Sequence, residues 1–142
     1  MSEKVLLIDD EPEFLESMGE RLKLRDMDVD SSTNISEALD KLAAEQFDAI
    51  FLDLQMPGTN GIESLKMIKK LYPDLQVILL TGHASVEKGI EAMKLGAMDF
   101  IEKPADINVL SEKVKKAQAK KMILVEKATE ERISSIITGK SW

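Results

Sequence analysis

Five short runs along the chain predict strands, and the longer segments between them have a helical pattern. An uninterrupted apolar run bounded by turn residues is typical of a strand that is buried on both faces of a sheet. The second run is the weakest because Val29 is its only strongly apolar residue. The predicted strands lie at residues 4–8, 29–32, 49–53, 77–80 and 99–102.

Between these runs, apolar residues recur every three or four positions, as they do on the buried face of a helix. Pro12 suits the first turn of one helix, and Asn34, with Glu37 three residues later, suits the start of the next. Pro73 ends the third helix, and Gly96 lies where a C-terminal cap belongs. The four predicted apolar faces are formed by Phe14, Leu15, Met18 and Leu22; by Ile35, Ala38, Leu39 and Leu42; by Ile62, Leu65, Ile68 and Leu71; and by Val86, Ile90 and Met93.

The alternation of strands and helices predicts an α/β fold with right-handed crossovers. We expect a three-layer sandwich, in which a five-stranded parallel sheet carries helices on both faces. The sequence lacks the glycine-rich motifs of two common nucleotide-binding loops. The first strand is followed by D-D-E-P rather than by G-x-G-x-x-G, and no G-x-x-x-x-G-K-[ST] occurs.

A last helix is predicted from Asp106, because no strong breaker occurs before Gly139. At 1.5 Å per residue it would be roughly 50 Å long, which is more than a domain of this size can cover, so part of it projects or folds back. We therefore divide the chain into a compact domain, residues 1–121, and a C-terminal helical extension or linker, residues 122–142. The first half of this helix carries one apolar face, formed by Ile107, Leu110, Val114 and Ala117.

The extension carries two apolar clusters that an isolated, solvated helix has no reason to expose. Lysines dominate residues 113–121 and glutamates dominate residues 126–131, so an antiparallel partner would match opposite charges. The hypothesis is an ordered helix for homodimerisation or partner docking, and the alternative is a frayed linker of a longer protein. The clusters are Met122, Ile123, Leu124 and Val125, and Ile133, Ile136 and Ile137.

Polar residues stand at the carboxyl ends of four predicted strands. Ligands of an open parallel sheet bind outside the carboxyl ends of its strands, where these side chains would meet. Each residue alone could simply end its strand, but five at the same edge favour a functional site. They are Asp9 and Asp10 after the first run, Asp53 after the third, Thr81 after the fourth and Lys103 after the fifth.

Composition narrows the chemistry of this site. The formal net charge of −7 disfavours direct binding to the phosphate backbone of nucleic acids. With no cysteine and one histidine, thiolate chemistry and a zinc site of nitrogen and sulfur ligands are excluded. The first predicted strand begins at residue 4, and no apolar run approaches the roughly 20 residues of a membrane span. We expect a soluble, cytoplasmic protein that does not associate with membranes.

Three clustered carboxylates would repel one another unless a cation lies between them. Carboxylate and carbonyl oxygens together with water are the ligands that Mg²⁺ prefers. Such an ion could neutralise a phosphoryl group, to which the Lys103 ammonium would add charge and the Thr81 hydroxyl a donor. Asp53 could then act as a nucleophile and form an acyl phosphate.

In their order and spacing, these segments resemble the response-regulator receiver domain, and in particular the receivers of enhancer-binding transcriptional activators. The matching segments span nearly all of residues 4–104 and read L-L-I-D-D-E-P, F-L-D-L-Q-M-P-G-T-N-G, I-L-L-T-G-H and G-A-M-D-F-I-E-K-P. The resemblance implies a flavodoxin-like fold and a two-component phosphorelay function, with a sensor histidine kinase as phosphoryl donor. It also implies a phosphoacceptor that assists its own Mg²⁺-dependent phosphorylation and dephosphorylation, rather than an enzyme.

The resemblance assigns a role to each residue of the predicted site. Asp53 would accept the phosphoryl group, Lys103 would contact it, and Thr81 would close on it. The Mg²⁺ ligands that it implies are Asp9, Asp10, Asp53 and the backbone carbonyl of Gln55.

The resemblance also singles out positions beside the site. Phe100 matches the aromatic switch residue of the family, without the hydroxyl of the tyrosine often found there, and plain core packing is the alternative. Gln55 and His83 match positions that tune the lifetime of the acyl phosphate. The bond between Lys103 and Pro104 is often cis in such domains.

Two other functions compete with this interpretation. An aspartyl-phosphate phosphatase or transferase tends to carry a second acid two residues after the nucleophile, where Gln55 cannot donate a catalytic proton. An unphosphorylated scaffold is disfavoured because the full acceptor set is present. The chain itself could be a stand-alone regulator, or the receiver fragment of a transcriptional activator whose output domain is absent.

Overall fold

The structure, a computed structural model, describes residues 2–82 and 86–138. In these residues the strands and helices follow one another in the predicted order, with one small hairpin added. The strands are β1 (Lys4–Ile8), β2 (Asp28–Ser32), β3 (Ala49–Leu52), β4 (Gln55–Met56), β5 (Thr59–Asn60), β6 (Gln76–Thr81) and β7 (Asp99–Glu102). The helices are α1 (Pro12–Lys23), α2 (Ile35–Ala44), α3 (Gly61–Leu71), α4 (Val86–Lys94) and α5 (Ile107–Ile137).

Five of the strands form one parallel sheet in the order β2-β1-β3-β6-β7. This confirms the predicted parallel sheet, and the order is that of flavodoxin-like folds, which reverse direction between β1 and β3. Strands β4 and β5 form a separate antiparallel hairpin directly after β3. The carboxyl ends of β1 and β3 therefore lie side by side at the edge where such folds bind ligands.

Helices cover both faces of the sheet and create two apolar layers. Alternate residues of β1 point into opposite layers. Leu6 and Ile8 pack in the layer under α2, α3 and α4, whereas Val5 and Leu7 pack in the layer under α1 and α5. The predicted three-layer sandwich is confirmed, and both faces of the central strands β3 and β6 are buried.

The predicted helix ends are present. At the start of α2, Asn34 Oδ1 accepts a hydrogen bond from the Glu37 N–H at 2.8 Å. After α4, Gly96 has a φ of 101°, and the N–H of the next residue donates to the Ala92 carbonyl. Gly96 in the left-handed conformation therefore caps the C-terminus of α4, and the chain turns there towards β7.

The apolar face predicted for α4 is wrong in its orientation. Val86, Ile90 and Met93 are 79%, 52% and 47% exposed. Small residues bring α4 close to the sheet, where Ala92 is fully buried, so the larger residues fall on the outer side. Leu71, the last residue of α3, also points outward and is 56% exposed.

Helix α5 is continuous over 31 residues, as predicted. Leu110, Val114 and Ala117 in its first half are fully buried against the sheet and α1. From Met122 onward most of its side chains are exposed, so the second half projects from the domain. Among the described residues, no helix, α5 included, combines the length and the apolar composition that crossing a bilayer requires.

Gly61, the first residue of α3, is expected to be intolerant of a side chain. A Cβ atom there would lie 2.5 Å from the Leu54 carbonyl oxygen and 2.6 Å from its Cα. Because this backbone cannot move aside as a side-chain tip can, Gly61→Ala should lower the free energy of unfolding by about 1–3 kcal/mol. Urea unfolding followed by circular dichroism measures the change.

Gly19→Ala is the matched control for this prediction. A Cβ at Gly19, inside α1, would meet Val29 Cγ1 at an ordinary 3.9 Å. Alanine favours the helix interior, so this variant should gain up to about 1 kcal/mol. Unchanged stability of Gly61→Ala would contradict the close approach of α3 to the end of β3.

Candidate functional site

The pairing of β1 with β3 brings two carboxylates together. Ile8 of β1 is paired with Leu52 of β3. Asp9 follows Ile8 and Asp53 follows Leu52, so the two aspartates are neighbours. The Asp53 N–H donates to the Ile8 carbonyl at 3.0 Å and continues the pairing by one step. Both side chains are deeply buried for ionisable groups, with Asp9 2% and Asp53 5% exposed.

The ammonium of Lys103 lies between these carboxylates. Its backbone N–H donates to the Thr81 carbonyl at 2.8 Å, which ties the segment after β7 to the end of β6. The Lys103 Nζ is 2.6 Å from Asp9 Oδ2 and 3.5 Å from Asp53 Oδ2. It is also 3.4 Å from Glu11 Oε1. One cation thus connects acids that come from two strands and the following turn.

An aromatic ring also holds this ammonium. The Lys103 Nζ lies 4.1 Å from the centroid of the Phe14 ring, which belongs to α1. A cation above an aromatic face is attracted by the ring quadrupole. The peptide bond between Lys103 and Pro104 is cis, as the resemblance implied.

Burial and pairing shift the pKa values of both partners. Burial raises the pKa of the Asp9 carboxyl, and the like charge of Asp53 adds to this, although hydrogen bonds from Lys103 and a backbone N–H reduce the rise. Burial by itself lowers the pKa of the Lys103 ammonium, but the hydrogen bond and charge of Asp9 outweigh it, and the pKa is raised overall. One ammonium faces several acids, so Lys103 stays charged while negative charge at this edge is only partly compensated.

Four acids at this edge could hold a metal ion. Carboxylate oxygens of Asp9, Asp10, Glu11 and Asp53 all lie within 4.8 Å of one another. Asp10 is half-buried and Glu11 is exposed, so the cluster opens to solvent on one side. An all-oxygen donor set with excess negative charge and room for water fits Mg²⁺, which dehydrates reluctantly.

Local hydrogen bonds orient the two buried carboxylates. Asp53 Oδ1 accepts the Gln55 N–H at 2.9 Å, and Asp9 Oδ1 accepts the Glu11 N–H at 3.0 Å. Each carboxylate therefore has one fixed oxygen, and its other oxygen is the one nearest to the lysine. A groove of about 880 Å³, lined in part by Asp10 and Gln55, runs between the hairpin β4–β5 and α4. Asp10 is the one member of the acidic cluster in its lining, which does not include Asp53, Thr81 or Lys103.

Thr81, Phe100 and His83 are the remaining predicted positions. Thr81 ends β6, is fully buried, and pairs with Glu102 of β7. Phe100 is partly buried, with one side against the core and the other on the groove beside Ile90 of α4. The prediction for His83 lies outside the described residues.

Two members of the site were not identified from the sequence. Glu11 was assigned only to a helix start, although its position directly after Asp10 could have placed it in the acidic group. Phe14 was assigned only to the apolar face of α1. No sequence signal indicates that its ring would meet Lys103, because the two residues lie far apart along the chain.

Comparison with curated proteins identifies relatives of the chain. The sequence model of one protein family, the response regulator receiver domain, matches residues 5–115 of this chain. The response regulator protein PilR of Pseudomonas aeruginosa is 35% identical over 112 residues, which are 79% of this chain and 25% of PilR. The C4-dicarboxylate transport transcriptional regulatory protein DctD of Rhizobium meliloti is 34% identical over 122 residues, which are 86% of this chain and 26% of DctD. The chain therefore spans about a quarter of the length of these relatives.

Solved structures have the same fold. A CheY-like receiver domain protein from Methanospirillum hungatei superposes with a TM-score of 0.80 at 29% identity, over 86% of this chain and 98% of that one. The beryllofluoride-activated receiver domain of NtrC4, solved as a dimer, gives a TM-score of 0.78 at 33% identity, over 83% of this chain and 98% of that one. Since the family model covers most of the chain and whole receiver domains superpose on it, the chain belongs to the receiver domains of two-component response regulators.

Proposed function

We propose that Asp53 is the phosphoacceptor of this receiver domain and that its donor is the phosphohistidine of a sensor histidine kinase. Receiver domains are in general phosphoacceptors rather than classical enzymes, and they bind Mg²⁺ in an acidic pocket. One difference between the two buried carboxylates supports the choice of Asp53. Both oxygens of Asp9 are tightly engaged, whereas Asp53 Oδ2 lies 3.5 Å from the Lys103 Nζ and remains the less constrained oxygen.

In the proposed transfer, an oxygen of the Asp53 carboxylate attacks the phosphorus atom of the donor. The P–N bond of the phosphohistidine breaks as the P–O bond of an acyl phosphate forms, and the leaving nitrogen keeps the bonding electron pair. The Lys103 ammonium would pair with a phosphoryl oxygen, and the Thr81 hydroxyl would donate to another. Both groups would act on charge that develops during the transfer.

The acidic residues would serve as the metal site of this reaction. Asp9, Asp10 and Asp53, with the backbone carbonyl of Gln55, would hold Mg²⁺, and Glu11 would reach it through water. When bound, the ion supplies positive charge that neutralises phosphoryl oxygens and orients the group. The uncompensated negative charge around Lys103 supports this assignment, because a cation would relieve it.

We also propose a role for the half of α5 that projects. Residues 1–121 would form the receiver domain, and residues 122–142 would form an extension through which two copies associate. The exposed apolar residues of the extension support this division, and the related receiver domain of NtrC4 was solved as a dimer.

The relatives favour one context for this module. DctD is a transcriptional regulatory protein about four times as long as the segment that this chain matches. The receiver of an enhancer-binding activator is therefore the leading proposal for its biological setting. The alternative is a regulator that acts through protein contacts alone.

Phosphorylation should depend on Asp53. Incubation with acetyl phosphate and Mg²⁺ should add a single phosphate that hydroxylamine removes, because acyl phosphates react with that nucleophile. Asp53→Asn should abolish this labelling, as measured by intact-protein mass spectrometry. Asp40→Asn, which changes an exposed acid of α2, is the control and should label normally. Equal labelling of Asp53→Asn and the unchanged chain would refute the assignment.

Asp10 should act through charge rather than through folding. Asp10→Asn should reduce phosphorylation at limiting Mg²⁺ because it removes a metal ligand. In the metal-free protein the same change relieves repulsion among the clustered acids, so the free energy of unfolding should stay the same or rise by up to about 1 kcal/mol. Thermal unfolding in a chelator tests this, and a clear fall in melting temperature would show a structural role for Asp10.

Phe14 should influence the reaction through Lys103. Phe14→Leu keeps the apolar contact of α1 but removes the ring, and should slow phosphorylation by about fivefold, the equivalent of a cation–π contact of about 1 kcal/mol. Initial rates with acetyl phosphate measure the effect. Phe14→Tyr keeps an aromatic face and should retain most of the rate. Equal rates for the leucine and tyrosine variants would mean that the ring does not position the ammonium.

A further inference from the structure

The bonded contact between α5 and the rest of the domain ends at one residue. Ala117 is the last buried residue of this helix, and four residues later Lys121 Nζ donates to the Phe47 carbonyl at 2.6 Å. In the stretch that follows, up to Thr138, the side-chain hydrogen bonds of the described residues run only to carbonyls of α5 itself. Lys121 is therefore the last residue through which the described part of α5 is bonded to the domain.

The acceptor of this bond lies in a segment that is itself fixed. Phe47 is buried, and Asp48 is bonded twice to Lys4 of β1. The Asp48 N–H donates to the Lys4 carbonyl at 2.8 Å, and Asp48 Oδ2 accepts the Lys4 N–H at 2.8 Å. Asp48 Oδ2 also lies 3.5 Å from Gln118 Nε2, so a second side chain of α5 reaches the same segment. Because this segment is held by β1, it cannot follow a movement of α5.

The bond from Lys121 is the strongest hold on α5 at this level of the helix. An ammonium donor makes a hydrogen bond that is shorter and roughly twice as strong as one between neutral groups. Apolar packing is slight here, because Ala117 contributes a single methyl group and Met122 is 56% exposed. The path of the helix beyond Ala117 therefore depends mainly on Lys121, with a weaker contribution from Gln118.

A groove beside the helix leaves room for α5 to tilt. It has a volume of about 650 Å³ and lies between the C-terminal ends of α2 and α3 and one side of α5. Lys121 and Val125 are the residues of α5 in its lining. Closely packed side chains would resist a tilt, whereas an open groove does not. The surface beneath the helix therefore does not fix its direction at this point.

Small rotations of α5 at this point cause large displacements further along the helix. At a rise of about 1.5 Å per residue, Ser134 lies about 26 Å beyond Ala117 along a straight helix. A pivot of about 10° at Ala117 would therefore move Ser134 by about 4 to 5 Å. A hydrogen bond at Lys121 can in this way control where the exposed part of α5 is presented.

We propose that Lys121 is a positioning residue, whose bond to Phe47 sets the direction in which the second half of α5 leaves the domain. Phe47 and Asp48 lead directly into β3, and Asp53 follows the other end of this strand. Since β3 is held between β1 and β6, one fixed strand carries both the anchor of the helix and the proposed phosphoacceptor. A partner that binds the exposed part of α5 is thereby placed at a set position relative to Asp53. This role of Lys121 rests neither on phosphorylation nor on self-association.

Distance measurements between two spin labels test the anchor, because the chain has no cysteine of its own. Ser36→Cys in α2 and Ser134→Cys in α5 place both labels at exposed positions. The labelled chain is mixed with an excess of unlabelled chain, so that distances within one chain dominate the signal. Lys121→Met keeps an unbranched apolar stem but removes the donor, and should make the distance distribution from double electron–electron resonance about twofold broader. Lys121→Arg keeps a cationic donor and should retain the narrow distribution.

Lys120→Met is the matched control for this experiment. It removes the same charge from an exposed neighbouring position and should leave the distribution narrow. An unchanged width in Lys121→Met would overturn the proposal, even if the melting temperature fell, because Lys121 would then only stabilise the domain. Equal broadening by Lys120→Met would also overturn it, because the effect would come from net charge rather than from the bond to Phe47.

Hydrogen exchange separates a pivot of the helix from its local unfolding. A pivoting helix keeps its backbone hydrogen bonds, so the amides of residues 122–137 should exchange as slowly in Lys121→Met as in the chain without that change. Mass spectrometry of the exchanged peptides measures this. Clearly faster exchange in Lys121→Met would mean that Lys121 maintains the helix itself rather than its direction, and would overturn the proposal.

Discussion

Buried negative charge at the ends of β1 and β3 is the constraint on which the rest of the site depends. A carboxylate removed from water is costly unless it is paired, and Asp9 and Asp53 are neighbours that are both almost fully buried. Their cation, Lys103, comes from the segment after β7, two strands away from β3 in the sheet. The sheet order and the backbone bond from Lys103 to Thr81 are what bring that cation within reach.

Much of this arrangement was predictable because parallel strands end at one edge. Once the apolar runs ending at Asp9, Asp53 and Thr81 were interpreted as strands of one sheet, the convergence of their ends followed from topology. Even the weakest predicted strand, in which only Val29 is strongly apolar, is present as β2. The helix ends at Asn34 and Gly96 followed from local chemistry, which acts within a few residues and is therefore visible in the sequence.

The failures share a different cause. A stripe at helical spacing predicts a helix but not which side faces the core, and in α4 the small Ala92 took the buried side in place of Ile90. The ring of Phe14 and the ammonium of Lys103 meet only in the folded chain. Such contacts depend on how closely helices approach the sheet, and that distance is set by packing of the whole domain rather than by any local pattern.

The acidity of the proposed site would also influence which phosphoryl donors approach it. The chain has a formal net charge of −7, and four acids cluster at the edge where the phosphoryl group would arrive. At low ionic strength, with a Debye length of about 30 Å at 0.01 M, this field extends well beyond the surface and repels small anionic donors. At about 0.15 M salt the Debye length shrinks to about 8 Å, and the repulsion acts only near the surface. A donor carried on a protein with a basic surface would instead be attracted over the same distances. If the proposed site is correct, its carboxylates would therefore favour a docked protein donor over a free anionic one.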